Sequence, residues 1–336
     1  MEKHSRRHFI KAAGLLSALP AFSFAASQKE EEKRKLVFPE LHTGDTIGIV
    51  SPAGAIYEKK SLDEFVAKLE SLSFKVILGK TTSLRTGYFA GTDKERAADV
   101  MDLFTNKKVK GLFAAKGGWG CARILPLLDY KLIRENPKVL IGFSDITSLL
   151  NAVTKKTGLV TFHGPVGNSS WNDFSIASFR KCVLEKEDQT IELKDEIKIW
   201  SAGKASGPVY GGNLSVLCSL IGTDWLPELK GAILMLEETT EEPFRIDRML
   251  TQLQQTGIFD SIAGIVFGKC TKCIAEEPDK AFTTEEVFQQ HFSERKFPVI
   301  SGISFGHTLD KLTIPLGCRT ELNTQKGSLL FSVVPG

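Results

Sequence analysis

Val139-Leu-Ile-Gly-Phe-Ser144-Asp-Ile-Thr147 reads as an apolar strand that runs through Gly142-x-Ser144 into a helix. An uninterrupted apolar run of this kind marks a strand buried on both faces. The same alternation extends outward along the chain. Residues 46–50, 74–78, 111–115 and 159–162 read as strands, and 61–72, 92–104 and 145–154 as helices, with Thr92 placed to cap the second. Such a pattern predicts a parallel sheet covered by helices. From 171 to 204 the chain is richer in charge and less regular, with one helix near 174–184. Beyond 206 strands dominate, at 232–236, 262–267, 299–305, 312–316 and 328–334, with helices at 244–255 and 284–292. The expected architecture is α/β: an N-terminal parallel-sheet α/β domain (41–170), a connection (171–205) and a C-terminal β-rich, barrel-like domain (206–336). A length of 336 residues agrees with two domains of about 150 residues each.

Composition narrows the function classes. Hydrophobic residues at 42 % and charged residues at 25 % exclude a disordered chain. The net charge of +3 resides wholly in residues 1–25, where Lys3, Arg6, Arg7 and Lys11 stand against Glu2. The rest is formally neutral, so composition gives no support for a nucleic-acid partner. That leader, Ser5-Arg6-Arg7-His8-Phe9-Ile10-Lys11 followed by an apolar run to Ala25, has the form of a twin-arginine export signal. Its apolar run is shorter than the roughly 20 residues of a membrane span. Cleavage is expected near Ala25 or Ala26, and no Cys follows to carry a lipid. A charged linker (26–40) comes next. The expected destination is the periplasm or cell envelope, without a stable membrane anchor.

Six cysteines, Cys121, Cys182, Cys218, Cys270, Cys273 and Cys318, are too widely spaced for a disulfide framework. Cys270-Thr-Lys-Cys273 admits three readings: a redox pair, half of a zinc site, or two incidental cysteines. With no second CxxC and no neighbouring His, the third is adopted.

Two segments could carry chemistry. Gly142-x-Ser144 between strand and helix is the setting of a nucleophile elbow, which displays a serine hydroxyl and frees the next N–H, that of Asp145, for an oxyanion. Ile146 stands where such elbows usually have glycine, so Ser144 could equally be a helix N-cap. Lys116-Gly-Gly-Trp-Gly120, also between strand and helix, could hold phosphate, face an oxyanion, or simply turn the chain. It is not GxGxxG, so a dinucleotide fingerprint is absent. A nucleophilic serine needs a base and an orienting carboxylate. His307 follows Gly306 at a strand end, and Glu237 lies at the end of 232–236 with Glu238 facing the other way. His163 ends a strand, either lining a cleft or bonded within the strand end. His291 reads as surface and His42 precedes the first strand.

Taken together, these segments resemble the LD-carboxypeptidase family of serine peptidases. The resemblance is carried by Gly44-Asp-Thr-Ile-Gly-Ile-Val-Ser-Pro52, Lys116-Gly-Gly-Trp-Gly120 with Leu125-Pro-Leu-Leu-Asp-Tyr130, Gly142-Phe-Ser-Asp-Ile-Thr147 and Thr161-Phe-His-Gly-Pro165. It continues in Gly211-Gly-Asn-Leu214, Leu236-Glu237, Pro243-Phe-Arg-Ile-Asp-Arg-Met249 and Gly306-His307. It implies an active site between two domains, no metal and no cofactor. It implies Ser144 as nucleophile, His307 as base, Glu237 as its partner, and the N–H groups of Gly118 and Asp145 as oxyanion donors. Trp119, Asn213 and Arg245 are the expected substrate contacts. Lys116 and Trp119 depart from the Arg and Tyr common in the family. The implied reaction removes a terminal D-amino acid from murein peptides, and the implied assembly is a homodimer. Three rivals are a peptidase acting on a peptide–nucleotide antibiotic, an exported cofactor-binding oxidoreductase, and a catalytically silent murein-binding protein.

Overall fold

The computed structural model describes residues 37–194 and 196–333. The leader and most of the charged linker lie outside the described residues. Fourteen strands are present among the described residues: β1 (Thr46–Val50), β2 (Lys75–Leu78), β3 (Val109–Ala114), β4 (Val139–Gly142), β5 (Thr161–His163), β6 (Gln189–Glu192) and β7 (Lys198–Ser201). They continue with β8 (Lys204–Asn213), β9 (Ile233–Thr239), β10 (Gly264–Thr271), β11 (Val299–Ile303), β12 (Ile314–Leu316), β13 (Arg319–Asn323) and β14 (Ser328–Phe331).

The first sheet has the order β12-β5-β4-β3-β1-β2. Its five N-terminal strands are parallel and β12 pairs antiparallel with β5, Ile314 opposite His163. The apolar runs fill it as expected: β4 is buried along its whole length. The second sheet has the order β6-β14-β13-β8-β9-β10-β11-β7, parallel from β8 to β11 and antiparallel outside them. The chain is thus mixed α/β, with a mostly parallel first sheet and a β-rich second one.

The sequence reading missed part of this second sheet. The stretch read as a connection holds β6 and β7, which form the sheet's two edges. β8 and β13 also went unread, and β12 returns from the C-terminal half to edge the first sheet. Edge strands read poorly because little of each is buried: β7 buries only its last two residues and β6 only Gln189. The helix expected near 174–184 is α-helical over Asp173–Phe179 and widens into a π turn over Arg180–Leu184.

One apolar core runs between the two sheets, from Val50, Leu112 and Leu140 to Ile233, Met235 and Phe331. The helix Thr147–Thr157 lies in that layer and is buried at nine of its eleven positions. Asn151 on this helix donates to the Gly211 carbonyl of β8 at 2.8 Å and accepts from the Gly211 N–H at 3.2 Å. Thr147 Oγ1 accepts from Asn213 N at 3.1 Å. These fully satisfied buried amides fix how the helix behind Ser144 meets the second sheet.

Candidate active site

β4 ends at Gly142, and Phe143 takes an extended conformation with φ −155°. Ser144 then adopts φ +63°, a left-handed conformation rare outside glycine. A short 3-10 turn, Ser144–Ile146, leads into the helix Thr147–Thr157. Ser144 therefore does not cap that helix: its side chain makes no capping bond, and the turn lifts it half-exposed above the strand ends. Strain of this kind, about 1–3 kcal/mol, persists only where the surroundings impose it.

Those surroundings are the Gly-rich turn. A Cβ on Gly117 would fall 2.8 Å from Ser144 Cβ and 3.0 Å from its Oγ, so only glycine lets the two backbones meet. Gly54 N–H donates to the Gly117 carbonyl at 3.0 Å, and Cys121 N–H donates to Asp145 Oδ2 at 2.7 Å. Arg96, fully buried, donates to the carbonyls of Pro52 and Gly120 at 2.7 and 2.9 Å. The turn is therefore tied to the elbow through Asp145 and to the segment after β1 through Gly54 and Arg96. Among the described residues the N–H groups of Gly118 and Asp145 have no backbone acceptor in the turns around them. Burial raises the Asp145 carboxyl to about 6, opposed by its bond from Cys121 and by Arg96.

The second sheet supplies the other half. β9 does not stop at Leu236, as the sequence reading had it, but runs to Thr239, so Glu237 and Glu238 are both strand residues and both buried. They face opposite ways and serve opposite ends. Glu237 Oε2 lies 2.8 Å from His307 Nδ1 and accepts the His307 backbone N–H at 3.2 Å. A carboxylate there accepts, so the Nδ1 proton faces Glu237 and Nε2 is left as the basic nitrogen. Gly306 sets this approach: with φ +83°, a Cβ there would lie 2.3 Å from Glu237 Oε2. Glu238 Oε1 accepts from Asn213 Nδ2 and Oε2 from Ser215 N–H, at 2.9 and 2.8 Å. Burial raises its carboxyl.

Phe143, the residue before Ser144, joins the halves. Its ring meets the His307 ring edge to face at 4.9 Å and the His163 ring at 6.0 Å. His163 in turn meets Phe305 edge to face at 5.6 Å. The structure corrects both readings of His163: it neither lines a cleft nor bonds within the strand end. It is buried with no hydrogen-bond partner on either ring nitrogen, and burial lowers it to about 4. His291 is also corrected, since its side chain is mostly buried and pairs with Asp247 at 2.6 Å.

The expected substrate contacts are scattered. Trp119 is 61 % exposed beside Tyr88 on the rim of the Gly-rich turn. Asn213 is buried and spent on internal bonds: it caps the helix Leu214–Ser219 and binds Glu238. Arg245 lies on the surface against Glu241 and Phe244. Two cavities flank the elbow and share Asn168. One, about 220 Å³, is lined by Tyr57, Glu58 and Lys116. The other, about 680 Å³, is lined by Phe143, His307, Lys269 and Lys311. The two lysines, Lys269 on β10 and Lys311 in the loop before β12, escaped the sequence reading, because an isolated Lys looks like any solvated charge. All six cysteines are free thiols.

Comparison with known proteins places this arrangement. The LD-carboxypeptidase N-terminal domain matches residues 47–164 and the C-terminal domain residues 206–322. The chain is 37 % identical over 289 residues to the probable murein peptide carboxypeptidase of Bacillus subtilis strain 168, covering 84 % of this chain and 90 % of that protein. It is 30 % identical over 328 residues to the microcin C7 self-immunity protein MccF of Escherichia coli, covering 87 % and 94 %. Among solved structures it resembles the muramoyltetrapeptide carboxypeptidase of Oxalobacter formigenes with a TM-score of 0.77 and 29 % identity, covering 87 % of this chain and all of that one. With both domains matched in order, the chain belongs to the LD-carboxypeptidase family and is a serine-type peptidase.

Proposed function

We propose that the protein is an exported LD-carboxypeptidase that removes the terminal D-alanine of murein tetrapeptides through Ser144, His307 and Glu237. The observation that carries this reading is the His307–Glu237 pair held, through Phe143, beside the left-handed serine at the end of β4. In the proposed reaction Ser144 Oγ bonds to the carbonyl carbon while its proton passes to His307 Nε2. The C–N bond then breaks, and that proton goes to the leaving amine. Water, giving a proton to His307, hydrolyses the ester and restores the serine. Glu237 holds the imidazole in the required tautomer and stabilises its cation. The N–H groups of Gly118 and Asp145 are the proposed oxyanion donors, a device worth about 3–4 kcal/mol of barrier. The twin-arginine leader supports action on murein in the envelope.

Mass spectrometry of a murein tetrapeptide incubated with the enzyme and with Ser144→Ala tests this reading. Release of one D-alanine by the first alone is expected. Release by both, or by neither, overturns it. Cleavage of an aminoacyl sulfamoyl nucleoside in place of the tetrapeptide would move the substrate to the class of compound bound in the solved MccF complexes. Cell fractionation of the wild type and of an Arg6→Lys, Arg7→Lys variant tests export: the wild type is expected in the periplasm and the variant in the cytoplasm.

A further inference from the structure

The cavity beside His307 holds two ammonium groups that the proposed chemistry leaves unused. Lys311 is 5 % exposed. Its Nζ donates to the Thr308 carbonyl and stands 5.3 Å from the centroid of the Phe143 ring. Lys269, exposed on β10, lines the same cavity. Neither lysine forms an ion pair among the described residues, although the paired acids Glu237 and Asp310 lie near enough to act on Lys311 through space. Asp310, the one acid lining the cavity, has its Oδ1 occupied by Asn172 Nδ2 at 2.7 Å. Burial lowers the Lys311 ammonium, and Glu237 and Asp310 partly restore it.

A buried ammonium with one carbonyl and one aromatic face for company is under-solvated. It gains most from an anion that enters the cavity from solvent. The position of His307 says which anion. The imidazole that takes the Ser144 proton must return it to the leaving nitrogen, so the leaving residue lies on the His307 side of the scissile bond. A single residue spans about 3.8 Å between Cα atoms. Its terminal carboxylate therefore stays within the cavity that His307 itself lines.

We propose that this cavity is the leaving-residue subsite and that Lys311 and Lys269 bind the free terminal carboxylate of the peptide, which restricts cleavage to the last residue. The proposal rests on the reading of Ser144 and His307 given above. Its ligand class is a peptide with an unblocked C-terminus, and its product is a free amino acid held by the same lysines.

The test compares kcat/KM for a tetrapeptide ending in D-alanine with that for the same peptide ending in D-alaninamide. The wild type is expected to favour the free acid by about 100-fold or more, because the amide leaves buried charge unpaired. In a Lys269→Met, Lys311→Met variant the preference should fall below about 5-fold, the loss appearing mainly in KM for the acid. Lys269→Met alone, a surface change, should lower the preference in part and guards against misfolding of the double variant. Equal cleavage of acid and amide by the wild type, or a preference untouched in both variants, overturns the proposal. Binding of D-alanine and of D-alaninamide to full-length Ser144→Ala, followed by ligand-observed NMR, separates the two readings. If no D-alanine is released from tetrapeptide yet D-alanine binds and the amide does not, the peptidase reading falls and the carboxylate site stands. If tetrapeptide is cleaved without preference and neither ligand binds selectively, the site falls and the peptidase reading stands.

Discussion

The two strands that deliver the candidate catalytic groups end in opposite ways. β4 stops at Gly142, and the chain is thrown into a left-handed turn at Ser144. β9 does not turn at all: it carries Glu237 and Glu238 inside the strand, both buried, one facing His307 and the other Asn213. At β4 a reactive group is displayed by backbone shape, a local property. At β9 adjacent identical side chains acquire different tasks from what packs against each face, which is wholly tertiary. Mutations that break the first should abolish chemistry and spare the fold, whereas those at β9 should separate activity from stability.

The largest expected effect is at the elbow. Ser144→Ala should lower kcat by about 10⁴-fold or more while the melting temperature stays within about 3 °C of the wild type. Retained turnover measured with purified variant would remove the serine from the mechanism. Next comes the β9 pair. Glu237→Gln should cost about 10³–10⁴-fold in kcat, because a carboxamide presents its nitrogen or its oxygen to His307 but no charge for the cation. Glu238→Gln should keep kcat within about 10-fold yet lose about 2–3 kcal/mol of stability in denaturant titration, since one of its donors would meet an NH₂ group. Equal effects of the two variants on both readouts would erase the contrast between the faces.

A smaller effect is expected where the Gly-rich turn touches the elbow. Gly117→Ala puts a methyl 3.0 Å from Ser144 Oγ and should lower kcat by about 100-fold, the scale of one misplaced oxyanion donor. An unchanged rate would mean that the turn yields freely.

The smallest effect sharpens the comparison through pH. His163 titrates near 4 in the fold, below its ordinary value of 6.5, so the folded state binds fewer protons than the unfolded chain between those values. Its contribution is complete above about 6.5 and is lost as pH falls toward 4. Asp145, raised from 3.8 to about 6, acts in the opposite sense over 3.8–6, so the pH curve of the whole protein hides both. The difference between wild type and His163→Leu exposes one of them. Denaturant titrations should show the wild type losing up to about 3 kcal/mol relative to the variant between pH 7 and pH 4. A difference that does not change with pH would show that His163 titrates normally.

Legibility followed burial. β1, β3 and β4 could be read because strands covered on both faces are written as unbroken apolar runs. The Thr92 cap was legible for a different reason: Thr92 and Glu95 close a capping box through their own side chains. β6 and β13 escaped because their exposed positions carry ordinary polar residues, and β7 because it is four residues long with both Lys198 and Ile199 exposed. At the candidate site, Ser144, Glu237 and His307 were picked out by strand-end position and by resemblance. Phe143 and Lys311 were not, because an aromatic after a strand and a lysine in a loop have no distinguishing neighbours in the chain.

By itself the sequence determined what short-range physics can write: a Gly142-x-Ser144 turn between an apolar strand and a helix, apolar runs that must be buried, and a basic N-terminal segment set apart from a neutral body. Only the tertiary structure decided which of two adjacent glutamates holds the histidine. The same holds for His163, which lost its water without gaining a partner, and for Lys311, whose charge lies buried beside His307. The reason is that burial, and the partners met in it, come from residues 70 to 168 positions away along the chain: Glu237 for His307, Phe305 for His163 and Phe143 for Lys311.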